Sequence, residues 1–388
     1  MPYLLLAVAV LVVACTESPR VFHDRAYVAD THNDVLLRVM RGEDISVRTS
    51  SGHSDIPRLR EGGIDMEVFS VWVDPVTYGP GRSFQRVNEM IDSLYRLAER
   101  IPGTLEVATS YSDLERIERE GKLAAVIGVE GGHAIENSLE KLEALYHRGM
   151  RYLTITWNNS LDWASSAKDE VKGDMGPFAG LNKFGREVIQ LCNTLGVIVD
   201  VSHTGEQTFW DIIRTTTRPV IASHSSVYVL SPHFRNLKDD QLQAIKENGG
   251  VVFVNFFPGY LDSTFQKRYL EVENAHREEL DSLATIYPPE SEDFWYERIQ
   301  ILQDDLLSVA PPVDLLLDHI DYIVNLIGVD HVGLGSDLDG VSVLPRGIED
   351  ATRFPVITEK LLERGYSRSD VRKILGENFK RVFREVVG

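Results

Sequence analysis

Short aliphatic and β-branched runs recur along this chain, separated by longer stretches of helical periodicity. The runs are AYVADTHND, DMEVFSVWV, LAAVIGVEG, RYLTITWNN, GVIVDVSH, PVIASHS, GVVFVNFF and HVGLGSDLDG. Their near-continuous apolar content lacks the in-out alternation of a half-solvated sheet and predicts strands buried on both faces, as in a parallel sheet. Segments such as SLEKLEALYHRG and NKFGREVIQLCNTLG instead space their apolar residues for a helix with one buried face. Eight strands alternating with helical crossovers predict an α/β fold, a (β/α)8 TIM barrel, as one domain over residues 16–388.

One stretch breaks the rhythm. Between the seventh and eighth predicted strands, residues 261–312 are charged, aromatic and helical in pattern, and too long for a simple loop. They predict a helical insertion beside the barrel mouth, and their charges fit a solvated appendage better than a lid or a dimer surface. The closing segment GYSRSDVRKILGENFKRVFREVV predicts a terminal helical pair packed on the barrel.

Composition sharpens the picture in two places. A chain of 388 residues with 43% hydrophobic content buries a large core, and a formal charge of -19 opposes nucleic acid or an anionic membrane surface as partner. The apolar run MPYLLLAVAVLVVAC is too short to span a bilayer and ends in a lipoprotein-type cleavage box. Residues 1–15 are therefore expected to be a lipoprotein signal peptide with Cys15 as the acylated residue, which places the protein outside the bacterial cytoplasm on a lipid anchor. The n-region lacks positive charge, so an uncleaved anchor or an ordinary secretory signal is the alternative. Cys192 is then a single thiol with no intrachain partner, expected to be a buried apolar residue.

The chemistry lies at the ends of the predicted strands, where a barrel of this kind gathers its active site. His32, Asp34, Glu130, Asn158, His203, His224, Asn255 and Asp337 all fall there. His32 and Asp34 are two residues apart, so both face one side of a strand and can share a cation. Glu130 precedes Gly131-Gly132 and has two oxygens with which to bridge two metals. His203 and His224 end neighbouring strands, and neutral imidazole is a common zinc ligand. Each of these taken alone is as well read as a structural group; together they point to a metallohydrolase. Asp337 is placed to take a proton from an attacking water and pass it to a leaving amine, with a metal ligand or a helix cap as alternatives. Asp339, beside Gly340, reads as a turn former, and Arg235 as a clamp for a carboxylate or a surface residue. His53, His133 and His233 lie in loops and are left outside the ligand set.

The strings DTHND, DIPRLREGGI, EGGH, MRYLTIT, LGVIVDVSH, SHSS, GSDLDG and the final RVF, in this order, resemble the membrane (renal) dipeptidase family, peptidase family M19, across nearly the whole chain after the signal. The resemblance implies a barrel of the metallo-dependent hydrolase type with two Zn2+ per chain. In it a hydroxide bridging the ions attacks the peptide carbonyl of a dipeptide. Carried over by position, His32 and Asp34 hold one zinc, His203 and His224 the other, and Glu130 bridges them. Asp337 matches the proton-shuttling acid, Arg235 the grip on the substrate carboxylate, and Tyr260 a pocket tyrosine. Family members are often dimeric, which makes a homodimer an expectation.

One departure from the family pattern bears on substrate choice. Where better-known members have a Thr-His pair, this chain has Thr156-Trp157-Asn158. Asn158 can donate a compensating hydrogen bond to the oxyanion, and Trp157 can form an apolar wall. The resulting expectation is a zinc dipeptidase acting on L-Xaa-L-Xaa and L-Xaa-D-Xaa. Its rivals are a binuclear amidohydrolase acting on N-acyl amino acids or lactams, and a lipoprotein that binds metal or peptide without turnover.

Overall fold

All eight predicted strands form, and a short ninth joins them. In this computed structural model, which describes residues 17–175, 179–289 and 291–388, the strands are β1 (Ala29–Asn33), β2 (Met66–Trp72), β3 (Leu105–Val107), β4 (Leu123–Glu130), β5 (Met150–Thr154), β6 (Ile198–Asp200), β7 (Ile221–Ala222), β8 (Val251–Val254) and β9 (Val332–Leu334). The eight that match the prediction pair in parallel in the order β1-β2-β4-β5-β6-β7-β8-β9, and β3 pairs with the start of β4 outside this path. The ring closes just beyond the strand ends, where Asp34 N donates to Leu338 O at 2.8 Å and Asp337 N to His32 O at 3.0 Å. Residues 1–16, with the cleavage box and Cys15, lie outside the described residues. Among the described residues no helix is long and apolar enough to cross a membrane. The unpredicted β3 is three residues long, and two of them are half-buried, so it carries no apolar run to detect.

The strands' two faces build two cores. Phe69, Val71, Ile127, Val129, Leu153, Val199, Val252 and Val254 pack against the apolar stripes of the surrounding helices. The alternate residues Ala29, Met66, Val68, Val126, Tyr152, Ile198, Val251 and Phe253 form a second cluster with Phe379, Val382, Phe383 and Val386 of the C-terminal helix Asn378–Val386. That helix packs across the end at which the strands begin. The predicted terminal pair is present as Arg368–Arg372 and Asn378–Val386, joined by one π-helical turn. Cys192 is fully buried and its thiol is pushed up to about 12 by burial, which makes it the inert core residue expected.

The insertion follows β8 as helices Pro258–Leu261, Phe265–Ala275, Arg277–Ala284 and Glu292–Val309, ahead of the crossover helix Asp314–Ile327. It has a small core of its own, in which Phe265, Leu302 and Leu306 are fully buried beside Tyr269 and Val343. Burial of this kind contributes about 1.5–3 kcal/mol per side chain as an upper figure. Arg41, just after β1, fastens the last insertion helix by pairing with Asp293 at 2.5 Å and lying over the Tyr296 ring at 4.3 Å.

Candidate metal centre

The strand ends bring together every predicted ligand. Glu130, the last residue of β4, sits between two groups of histidines: its Oε2 is 3.5 Å from His32 Nε2, and its Oε1 is 3.1 Å from His203 Nε2 and 3.5 Å from His224 Nε2. His32 Nε2 is 3.4 Å from Asp34 Oδ2, and the Nε2 atoms of His203 and His224 face one another at 3.0 Å. Two sets can each surround a cation, His32 with Glu130 and His224, and His32 with Asp34 and Asp337. His32 therefore serves both sets. All six residues are at most 8% exposed.

Of the three histidines only His32 lies in its strand; His203 and His224 do not, contrary to the prediction. β6 stops at Asp200 and β7 at Ala222, so His203 and His224 occupy the turns that follow. His203 has φ 65°, a left-handed conformation that no strand accommodates and that costs an L-residue about 1–2 kcal/mol. Asp337 (φ 63°) and Asp339 (φ 62°) share this strain. Surrounding structure must hold such residues in place, and concentrated strain of this kind marks functional sites.

Each imidazole is oriented from behind. His32 Nδ1–H donates to the Tyr152 hydroxyl at 2.9 Å, which donates to Thr31 O at 3.2 Å. His224 Nδ1–H donates to Ser223 Oγ at 2.7 Å, which donates to Asp200 Oδ2 at 2.6 Å. His203 Nδ1–H donates to Asn158 Oδ1 at 3.0 Å. With every Nδ1 engaged, the three Nε2 lone pairs turn to the shared space, as metal ligation requires. Burial drives the pKa of His203 and of His224 well below the usual value, and nearby His32 and Arg235 push the same way, so both rings are neutral donors.

The site fits divalent cations. His32 Nε2 and Asp34 Oδ1 are buried with no hydrogen-bond partner among the described residues, a costly state unless an ion occupies the space between them. Burial raises Glu130 to about 7 and Asp337 to about 6. Burial lowers His32, but Tyr152 and the carboxylates of Glu130 and Asp34 outweigh it and push its pKa well above the usual value. The cluster thus draws positive charge to its centre, and bound cations supply it with the ligands deprotonated. Gly340 is part of the cradle: a Cβ there would run into both Asp34 Oδ2 and Asp337 Oδ1.

Above the ligands opens a cavity of about 500 Å3, lined by Asp34, Glu130, His203, His224 and Asp337 at its base and by Trp72, Trp157, Asn158 and Tyr260 on its sides. Trp157 packs on Trp72 at 4.9 Å between ring centroids, forming the apolar wall expected of it. The insertion is not a solvated appendage. It contributes Tyr269, Ser291, Glu292 and Trp295 to the cavity wall, because the Arg41 contacts and its own small core fold it over the mouth. The charges that suggested solvation lie partly in those contacts. Sequence reasoning also missed Trp72, Asp74 and Lys168 on the wall. Trp72 ends a strand, the signal that identified the ligands; Lys168 carries no such mark.

Arg235 sits deeper than a rim clamp. It is 3% exposed and donates to His224 O at 3.1 Å and Ser225 Oγ at 3.4 Å, while its buried Nε has no partner among the described residues. Its guanidinium lies 5.4 Å from the Tyr260 ring and opens on a smaller cavity of about 230 Å3 that also touches His203. His233 braces it by accepting from Arg235 N at 3.1 Å. Asn255 Nδ2 donates to Asp337 Oδ2 at 2.7 Å and aims that carboxylate. Asp339 is more than a turn former. It accepts from His53 N and Ser54 Oγ, both at 2.7 Å, and from Arg38 Nη1 at 3.3 Å, and so ties the loop carrying Asp337 to the β1 side of the barrel. His133 donates away from the centre, to Val73 O at 2.7 Å.

A barrel whose strand ends aim three imidazoles and three carboxylates at one solvent-reached space belongs with the metal-dependent barrel hydrolases. The family profile of the membrane dipeptidases (peptidase family M19) matches residues 17–387. The chain belongs to that family and is a membrane-dipeptidase-like metallopeptidase. Among solved structures, the probable dipeptidase PvdM from Pseudomonas aeruginosa is similar with a TM-score of 0.75 at 24% identity, over 95% of this chain and 97% of its own. The metallopeptidase dipeptidase AC gives 0.74 at 26% identity, over 94% and 99%. A metallopeptidase from Rhodobacter sphaeroides bound to a phosphinate mimic of the dipeptide L-Ala-D-Ala gives 0.74 at 24%, over 93% and 99%.

Proposed function

We propose that this chain is a zinc-dependent dipeptidase that hydrolyses L-Xaa-L-Xaa and L-Xaa-D-Xaa. The observation that carries the reading is the convergence of His32, Asp34, Glu130, His203 and His224 with Asp337 at the base of one roofed cavity. Two Zn2+ held by these residues would lower the pKa of water and polarise the scissile carbonyl. Asp337, aimed by Asn255, takes the proton of the attacking water as its oxygen bonds to the carbonyl carbon. It returns that proton to the nitrogen as the C–N bond breaks, giving two amino acids. Arg235, with an unpaired buried N–H behind Tyr260, is the receptor for the substrate's terminal carboxylate. The phosphinate complex of the Rhodobacter sphaeroides protein supports acceptance of a D-residue. The box ending at Cys15 supports an exported, lipid-anchored enzyme that would meet peptides from the cell wall.

The test is amine release from L,L-dipeptides, L,D-dipeptides and N-acyl amino acids by the zinc-loaded chain, beside a chelated control. Zinc-dependent cleavage of both dipeptide classes is expected. The aromatic wall of Trp72 and Trp157 favours a second reading, in which an apolar N-acyl group replaces the N-terminal residue. Turnover of acyl amino acids with silence toward every dipeptide would establish it.

A further inference from the structure

The side chain of Asn158 has two ends in two different places. Its Oδ1 accepts from His203 Nδ1–H at 3.0 Å. With His203 Nε2 turned to the space shared with Glu130 Oε1 and His224 Nε2, a cation held there takes the Nε2 lone pair, so Nδ1 carries the proton and needs an acceptor, which assigns the amide oxygen to that side. The Nδ2–H2 group has no protein acceptor among the described residues, and Asn158 lines the cavity directly beside the ligands. The two loops concerned are stitched together. Ala167 N donates to His203 O at 2.8 Å, Thr156 Oγ1 to the same oxygen at 3.1 Å, and Ser166 Oγ to Asn158 O at 3.2 Å. The amide plane therefore cannot turn without breaking the His203 contact.

We propose that Asn158 does two jobs with its two ends: Oδ1 fixes His203 in the tautomer that presents Nε2 to the metal, and Nδ2 donates to the substrate carbonyl oxygen as that oxygen gains negative charge. This rests on the dipeptidase reading for its second half only. Oδ1 makes Asn158 a positioning residue, acting through His203. Nδ2 acts on the substrate itself, and a fixed N–H aimed at developing charge needs no reorganisation during the reaction. The arrangement also ties oxyanion stabilisation to metal occupancy, since one rigid amide serves both. Trp157, which has no hydrogen-bonding role at the centre, is left to shape the wall.

Replacing Asn158 separates the two ends. Asn158→Asp keeps an acceptor for His203 and removes the donor; Asn158→Ala removes both. Zinc affinity is read by competition with a chromophoric chelator, the His203 tautomer by 15N NMR of labelled imidazole, and turnover by kcat and KM on an L,L-dipeptide. Asn158→Asp is expected to hold zinc within about threefold of the parent, keep the Nδ1–H tautomer, and lose about 10²–10³ in kcat with KM little changed. Asn158→Ala is expected to lose kcat similarly, lose about 10–100-fold in zinc affinity, and show mixed His203 tautomers. Equal zinc loss in both variants, or full zinc affinity in Asn158→Ala, would overturn the positioning role. Parental kcat in Asn158→Asp would overturn the donor role. If the parent binds zinc but cleaves no dipeptide, the dipeptidase reading and the donor role fall together, while the chelator and NMR results still decide the positioning role.

Discussion

Replacing Gly340 by alanine tests whether the carboxylates of Asp34 and Asp337 share one rigid cradle. The added Cβ would fall inside van der Waals contact of Asp34 Oδ2 and Asp337 Oδ1 at once, and real Cβ atoms essentially never approach other atoms closer than 3.0 Å. Relief by backbone movement is blocked, because Gly340 N is held by Asp337 O at 3.1 Å and neighbouring Asp339 is tied to His53, Ser54 and Arg38. The carboxylates must therefore retreat by on the order of 1 Å, a displacement that costs on the order of 10²-fold in a positioned reaction. Asp34 should also weaken as a ligand, and zinc affinity is expected to fall by at least the 10–100-fold seen when ligand orientation is lost. The assay is chelator competition and dipeptide kcat/KM, with urea unfolding of the chelated protein as control. The chelated protein should lose no more than about 1–3 kcal/mol, the cost of disturbing one buried hydrogen-bonded group, here the Asn255–Asp337 pair. Parental zinc affinity together with parental kcat/KM in Gly340→Ala would refute the cradle and with it the placement of both carboxylates.

Three further outcomes follow from the same geometry. Tyr152→Phe removes the acceptor of His32 Nδ1–H, so zinc affinity should drop about 10–100-fold while the hydrophobic ring still fills its site; unchanged competition with the chelator would contradict this. His319 is 1% exposed, accepts from Val227 N and donates to Leu261 O, and burial lowers its pKa from 6.5 to about 4. Its folded pKa is depressed, so the unfolded chain takes the proton first; the stability it contributes is complete above pH 6.5 and lost as pH falls toward 4. That loss is about 3 kcal/mol, seen by urea unfolding at the two ends of the window, and His319→Asn should flatten it; an equal pH dependence in the variant would count against the assignment. Trp295→Ala opens the insertion side of the cavity, so dipeptide KM should rise about three- to tenfold with kcat little changed, and tripeptide cleavage should appear; an unaltered KM and chain-length preference would show that the insertion does not contact substrate.

The candidate metal cluster was legible in the chain because it is written in local pattern. Several apolar runs end in a side chain of metal-binding type, and a parallel barrel delivers all its strand ends to one mouth, so His32, Asp34, Glu130, His203 and His224, with Asp337 as the acid beside them, could be named as candidates without coordinates. Trp157 was equally visible as an apolar wall. The three-residue β3 was not, since nothing in its half-buried residues separates it from a loop.

The tertiary structure decided how those residues act. Left-handed turns at His203 and Asp337, rather than strand ends, aim two of the functional groups, and such turns are held by partners distant in sequence. Which imidazole nitrogen faces the shared centre depends on Tyr152, Ser223 and Asn158 lying behind the rings. The insertion covers the mouth because Arg41 meets Asp293 and Tyr296 some 250 residues away in sequence, and Arg235 lies behind Tyr260 because the loop after β7 folds inward. Strand and helix periodicity arise from neighbours along the backbone and can be read there. Packing between remote segments depends on shapes and charges that meet only once the chain is folded, so the candidate cluster could be read from sequence and the enclosure around it could not.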